Sequence, residues 1–186
     1  INSLSQIINH HSGKIVKSLG DRLMCYFLNF SDLNNEKAFE DVIECGLEIL
    51  EKREDMNKEL LMKNNLPSVE SYKISLDYGV VDLALAGDNY QLDIFGSAVN
   101  ICSKINSSPS LNHKNEIIIG NNIYRILKSF PNILNKYNFI NNGEFKVTEN
   151  IGYPTYNIKR SNTLLQNDDT NNTHSLMEKQ LNSYAE

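Results

Sequence analysis

Positive charge is not in excess in this sequence. Its 186 residues carry 18 Lys and Arg against 23 Asp and Glu, a formal net charge of −5. A chain without a basic footprint is not expected to take nucleic acid as a partner, although a small anion such as a nucleotide needs only a local cationic pocket. Cysteine is scarce as well. Cys25, Cys45 and Cys102 are scattered and odd in number. No pair has metal-ligand or redox spacing, so they read as buried thiols in a reducing, cytoplasmic compartment. His10, His11, His113 and His174 show no ligand spacing either. No apolar run approaches the roughly 20 residues that a membrane span requires, and no secretory signal precedes the domain. Internal repeats are missing too. The first residue is Ile1 rather than methionine, so the chain reads as a piece of a longer protein, with room upstream for a sensor domain.

What is present suffices for one domain with a core. Hydrophobic residues make up 40% of the chain, which argues against wholesale disorder. Leu4, Ile7 and Ile8 suit the end of a helix, with Gly13 as its C-cap. The runs "KIVKSL" and "RLMCYFL", split by Gly20 and Asp21, read as a β-hairpin. Over residues 35–64, Val42, Ile43, Leu47, Leu50 and Leu60 recur at helical spacing. The charge run "EKREDMNKE" within it reads as a solvated face. "YKISLDYGVVDLALAG" reads as two strands around Gly79, and "DNYQLDIFG" as a loop. Residues 97–107 look helical, and "NEIIIG" is a short buried strand. "NNIYRILKSF" is an amphipathic helix with Asn121 or Asn122 near its N-cap, and "GEFKVTENIGYPTYNI" gives a last pair of strands. From Ser161 onward the composition turns to Asn, Asp, Thr and Ser, as in a mobile tail. Residues 1–160 therefore form the expected domain and 161–186 the tail. Hairpins mixed among alternating strands and helices predict an α+β sandwich, with a mixed, largely antiparallel sheet covered by helices.

Two stretches carry candidate chemistry. In "GKIVKSLGDRLMCYF", Asp21 sits at the hairpin tip. A Gly-Asp dipeptide is in the first place a good turn, but a carboxylate projecting from a tight tip also suits a hard cation such as magnesium. Lys17 lies in an otherwise apolar strand, where a cation is costly unless the strand is an edge or the lysine has a ligand. In "QLDIFGSAVNICSKI", Asp93 precedes Gly96, and Asn100 and Lys104 follow at spacings of four. The surrounding residues suit a strand–turn–helix junction, with the glycine allowing close approach of the chain to a ligand.

These stretches together resemble the class III nucleotidyl cyclases, the catalytic domains of adenylate and guanylate cyclases. "GKIVKSLGDRLMCYF" is similar to the segment of that family holding a lysine, a Gly-Asp pair and a phenylalanine. "LDIFGSAVNICSKI" is similar to the segment holding aspartate, glycine, Val-Asn and a cation. "KISLDYGVVDLALAG" looks like the hairpin between them, and "NEIIIGNNIYRIL" like the following strand and helix. Two motifs in order at the usual separation are more specific than either alone.

The resemblance implies a ferredoxin-like, palm-type core lacking the family's first strand, which lies upstream of residue 1 with the other metal-binding aspartate. It implies a homodimer with active sites at the interface, two Mg2+ or Mn2+ ions per site, and conversion of ATP to 3′,5′-cyclic AMP and pyrophosphate. By the same resemblance Asp21 binds metal, Lys17 and Asp93 read the purine, Asn100 orients the ribose, and Lys104 faces the phosphates. Lys146 stands near the family's triphosphate-binding lysine. The lysine–aspartate pair favours adenine, because a lysine donates to N1 and an aspartate accepts from the 6-amino group, whereas guanine presents the reverse pattern. Lys104 stands where the family usually has arginine. It keeps the charge and loses the planar fork. That change motivates the alternative of a weak or inactive nucleotide-binding, dimerising module.

Overall fold

The computed structural model describes residues 2–19, 22–28, 32–64, 69, 71–86, 91–108, 111, 114–148 and 151–161. In chain order the elements are α1 (Asn2–His10), β1 (Gly13–Leu19), β2 (Arg22–Phe27), α2 (Glu36–Glu51), α3 (Arg53–Asn64), β3 (Lys73–Leu76), β4 (Asp82–Ala86), β5 (Gln91–Phe95), α4 (Ser97–Ser107), β6 (Glu116–Gly120), α5 (Asn121–Leu127), α6 (Pro131–Lys136), β7 (Tyr137–Thr148) and β8 (Ile151–Arg160). Gly20, Asp21, Tyr90, His113, His174 and residues 162–186 lie outside the described residues, and with them the hairpin tip and the polar tail.

The layering follows from β6. Its three consecutive isoleucines are all fully buried, and strand geometry sends Ile117 and Ile119 to one face and Ile118 to the other. Ile117 and Ile119 join Phe39, Ile43 and Leu47 of α2, Leu127 of α5 and Ile133 of α6 in the main core. Ile118 packs with Ile105 of α4 and Leu111 on the opposite face. A strand apolar on both faces has to lie inside a sandwich, and each buried isoleucine contributes about 1.5–3 kcal/mol relative to exposure. α2 sits directly on β6: a Cβ added to Gly46 would come within 2.8 Å of Ile117 Cδ1.

β6 belongs to a four-stranded sheet ordered β3-β6-β8-β7. β3 and β6 are parallel, and the other pairings are antiparallel. Two antiparallel hairpins, β1–β2 and β4–β5, stand beside it. The fold is the expected α+β architecture, with a mixed, largely antiparallel set of strands and helices on both faces. The β1–β2 hairpin covers a second core, in which Ile15, Leu23, Cys25 and Phe27 meet Ile7 and Ile8 of α1 and Ile49 of α2. The β1–β2 register slips by one residue between Ile15 and Lys17, so Val16 forms a β-bulge.

Several local expectations are corrected. The left-handed residue after α1 is Ser12, with φ 63°, not Gly13. Gly13 instead opens β1, where a Cβ would meet Ile8 Cγ2 at 2.6 Å and the Phe27 ring at 2.8 Å. Residues 36–64 form two helices rather than one, with Lys52 between them at φ −85° and ψ 3°. β3 and β4, the two strands around Gly79, do not pair with each other but enter different sheets. The expected loop at 88–96 contains β5, whose Leu92 and Ile94 alternate with polar neighbours and pair with Leu85 and Leu83. Gly120, not an asparagine, caps α5, and no side chain bonds there. α6, opened by Pro131 at its first turn, and the start of β7 at Tyr137 are not expected from the sequence.

Candidate active site

The bulge at Val16 decides where Lys17 points. Ile15 lies opposite Cys25 and Lys17 opposite Met24. Cys25 and Met24 are consecutive and face opposite sides of their strand, so Ile15 and Lys17 do too, although they are two residues apart. Ile15 and Cys25 belong to the second core, which leaves Lys17 on the other side. β1 packs beside β5 there, and the Lys17 ammonium meets Asp93.

That meeting is close. Lys17 Nζ donates to Asp93 Oδ1 at 2.6 Å and to Oδ2 at 2.7 Å. Their side chains are 26% and 22% exposed, so the pair is reachable from solvent but half sheltered. Ile94 N–H adds a third bond to Asp93 Oδ1 at 2.8 Å. The Lys17 ammonium and this amide hold the Asp93 carboxyl below its ordinary range. The arrangement offers a carboxylate acceptor and an ammonium donor side by side, the polarity that adenine's amino group and N1 require.

Gly96 turns the chain from β5 into α4. Its φ of 149° disfavours a side chain, and a Cβ there would lie 2.7 Å from the Val80 carbonyl oxygen. One turn into α4, Asn100 N–H bonds to Gly96 O at 3.1 Å, and the Asn100 side chain is exposed. Lys104 follows a further turn along the same face. Its Nζ donates to the Val147 carbonyl oxygen at 3.0 Å. Lys146, the neighbour of Val147 on β7, is exposed and lies opposite Gly152.

Lys17 thus joins Asp93, Gly96 joins β5 to the helix bearing Asn100 and Lys104, and Lys104 reaches the strand that carries Lys146. Asp21 lies outside the described residues. Among the described residues no group of three or more His, Cys, Asp and Glu gathers as a metal site. The three cysteines are free, and burial pushes the thiols up, Cys25 to about 11 and Cys45 and Cys102 to about 12. Among the described residues no helix is long and apolar enough to cross a membrane.

The Val147 carbonyl as partner of Lys104 was not legible in the sequence. Nor was a contact of Asp77 with Tyr153, whose hydroxyl donates to Asp77 Oδ2 at 2.7 Å. Both partnerships join residues far apart in the chain, and neither carries a local signal.

A family model described as the adenylate and guanylate cyclase catalytic domain matches residues 1–160. The chain belongs to that family. Solved cyclase domains share its fold. The adenylyl cyclase CyaB from P. aeruginosa is 19% identical, with 86% of this chain and 78% of that chain covered at a TM-score of 0.65. The guanylate cyclase domain of RhGC from Catenaria anguillulae, in complex with GTP, is 17% identical over 86% of this chain and 79% of that one, at a TM-score of 0.60. An adenylate/guanylate cyclase/hydrolase from Silicibacter pomeroyi is 20% identical over 83% and 77%, at 0.56. A search of curated proteins found no match. The cyclase fold therefore stands, and the neighbours include both adenylyl and guanylyl enzymes.

Proposed function

We propose that this cyclase domain takes ATP and forms 3′,5′-cyclic AMP and pyrophosphate. The observation that carries the reading is the Lys17–Asp93 pair, with both Asp93 oxygens within 2.7 Å of the ammonium. Adenine entering this site exchanges the internal ion pair for two bonds of matching polarity, N1 accepting from Lys17 and the 6-amino group donating to Asp93. Guanine would set its O6 against the carboxylate and its N1–H against the ammonium, leaving all four groups unpaired, which is a strong basis for rejection.

Asn100 then orients the ribose, so that the 3′-oxygen attacks the α-phosphorus in line within one molecule. The 3′-hydroxyl gives its proton to solvent water, the bond from the 3′-oxygen to the α-phosphorus forms, and the bond from that phosphorus to the bridging oxygen breaks to release pyrophosphate. Lys104, released from Val147, neutralises charge on the pentacoordinate phosphorus, and Lys146 approaches the triphosphate. Mg2+ or Mn2+, two per site with Asp21 as one ligand, belongs to the same reading. So does a homodimer. Val80, Leu83, Leu85 and Phe95 are exposed on or beside the β4–β5 hairpin, Val80 to 88%, and a second copy would cover them.

The test is cyclic nucleotide production by the protein with Mn2+ and ATP or GTP. Cyclic AMP above an Asp21→Ala control supports the reading, and preferential cyclic GMP overturns the base assignment. Lys104 bonded to a main-chain carbonyl favours one second reading, a nucleotide-binding module of little turnover. Binding of a non-cyclisable ATP analogue without product from ATP would select it.

A further inference from the structure

Asp77 follows directly on β3, and its carboxylate is turned inward. Tyr78 N–H donates to Oδ1 at 2.8 Å, Ile123 N–H to the same oxygen at 3.3 Å, and Tyr153 Oη to Oδ2 at 2.7 Å. Tyr153 Oη in turn accepts from Asn122 N–H at 2.9 Å, and Asn122 Nδ2 donates to the Tyr78 carbonyl at 3.2 Å. The carboxyl lies flat against Gly120, where a Cβ would come within 2.7 Å of it. These donors are a phenol and main-chain amides, and burial raises the Asp77 carboxyl above its ordinary range despite them. A sheltered carboxylate held in this way is costly, so what it holds in place is the question.

It holds the segment that leaves β3. Gly79 lies so close to α4 that a Cβ would be 3.1 Å from Ala98 Cβ, and Gly96 abuts the Val80 carbonyl and Val81 Cα. Ser75 Oγ donates to Cys102 O at 3.0 Å, a further tie between this segment and α4. Residues 79–81 thus cross under 96–98, where β5 with Asp93 ends and α4 with Asn100 and Lys104 begins. One face of the crossing is glycine against alanine, with no flexible side chain to absorb a displacement.

We propose that Asp77 is a positioning residue for cyclisation, which through Tyr153 and the main chain of α5 fixes the 77–81 segment as the seat of α4. The proposal rests on the reading of Asn100 and Lys104 as ribose- and phosphate-facing groups. A displaced seat moves α4 relative to the bound nucleotide. In-line attack is sensitive to such shifts, since about 1 Å of misplacement can cost roughly a hundredfold in rate.

Tyr153→Phe removes the hydroxyl that links Asp77 to Asn122 and leaves the aromatic packing. Expected is a fall in kcat of about tenfold, with affinity for a non-cyclisable ATP analogue, read by calorimetry, within about threefold of the wild type. Gly79→Ala approaches the same seat from the other side, and its effect should combine with Tyr153→Phe less than additively. Hydrogen exchange of amides 98–101 should accelerate in Tyr153→Phe and Asp77→Asn, a readout that needs no turnover. A wild type without product from ATP or GTP defeats the proposed function, and the exchange measurement then still decides on the seat. Unchanged kcat in an active Tyr153→Phe protein, or unchanged exchange in α4 for both variants, overturns the role given to Asp77.

Discussion

Lys17 and Asp93, 76 positions apart in the chain, hold one another at 2.6 and 2.7 Å. Each group therefore arrives at the base with its charge already balanced, and a ligand replaces one set of bonds with another. Replacing the pair by Lys17→Glu and Asp93→Cys removes the ammonium and the acceptor that suit adenine. The expected outcome is an inversion of the ATP-to-GTP ratio of kcat/KM, measured on the purified protein. Each single substitution should lower ATP turnover without raising GTP turnover to the level of the double variant.

Gly96 is required by its backbone. Gly96→Ala places a methyl group 2.7 Å from the Val80 carbonyl at a φ of 149°. A loss of about 1–3 kcal/mol of stability is expected from the strained conformation, read by urea unfolding, together with loss of ATP-analogue binding.

Lys104 offers a test of geometry at constant charge. Lys104→Arg restores a planar, five-donor group able to contact phosphate in two places. It should raise kcat by roughly tenfold, the size of a modest gain in charge stabilisation. Lys104→Met, which keeps the length and loses the charge, should lower it. Equal rates in all three proteins would remove Lys104 from the phosphate site.

Glu44 gives the fold a defined acid limit. Burial alone would raise its carboxyl, but Arg160, Tyr137 and Lys136 bond to it and bring it down to about 2. Lys136 Nζ lies 2.9 Å and Arg160 Nη2 2.7 Å from its oxygens. A carboxyl depressed on folding contributes stability that is present above its unfolded value, near 4.5, and lost as pH falls toward about 2. Because the group is partly solvated, the contribution is on the order of 1 kcal/mol. Urea midpoints measured from pH 7 to pH 3 should fall below pH 5, and Glu44→Gln should flatten that fall.

Much of this arrangement was legible in the sequence, for reasons that differ by element. The β6 isoleucines and the helical face of Val42, Ile43 and Leu47 are periodic signals, and local geometry turns such signals directly into layers. The residues of the candidate site were readable because two motifs stand in order. β5 carries no such signal, because five residues give periodicity little room and Asp93 within them looks like a loop residue. The separation of β3 from β4 escaped for another reason: sequence proximity suggests a hairpin, while the parallel partner of β3 lies more than 40 positions away, in Lys73 opposite Glu116. The Asp77–Tyr153 bond likewise depends on where β8 finally pairs, which no local pattern records.

Val16 performs no chemistry, yet it gives the hairpin a strict dependence on counting. Any apolar side chain of similar size could occupy the position. Were Val16 to pair regularly with Met24 instead of bulging, Lys17 would face Leu23, turning its ammonium toward Ile7 and Ile49 and away from Asp93. When relatives are aligned across this hairpin, a gap of one at position 16 therefore keeps the lysine opposite Met24, in a regular ladder without the bulge. A domain of the same length that paired without the bulge would carry the lysine in its sequence and lack it at the base.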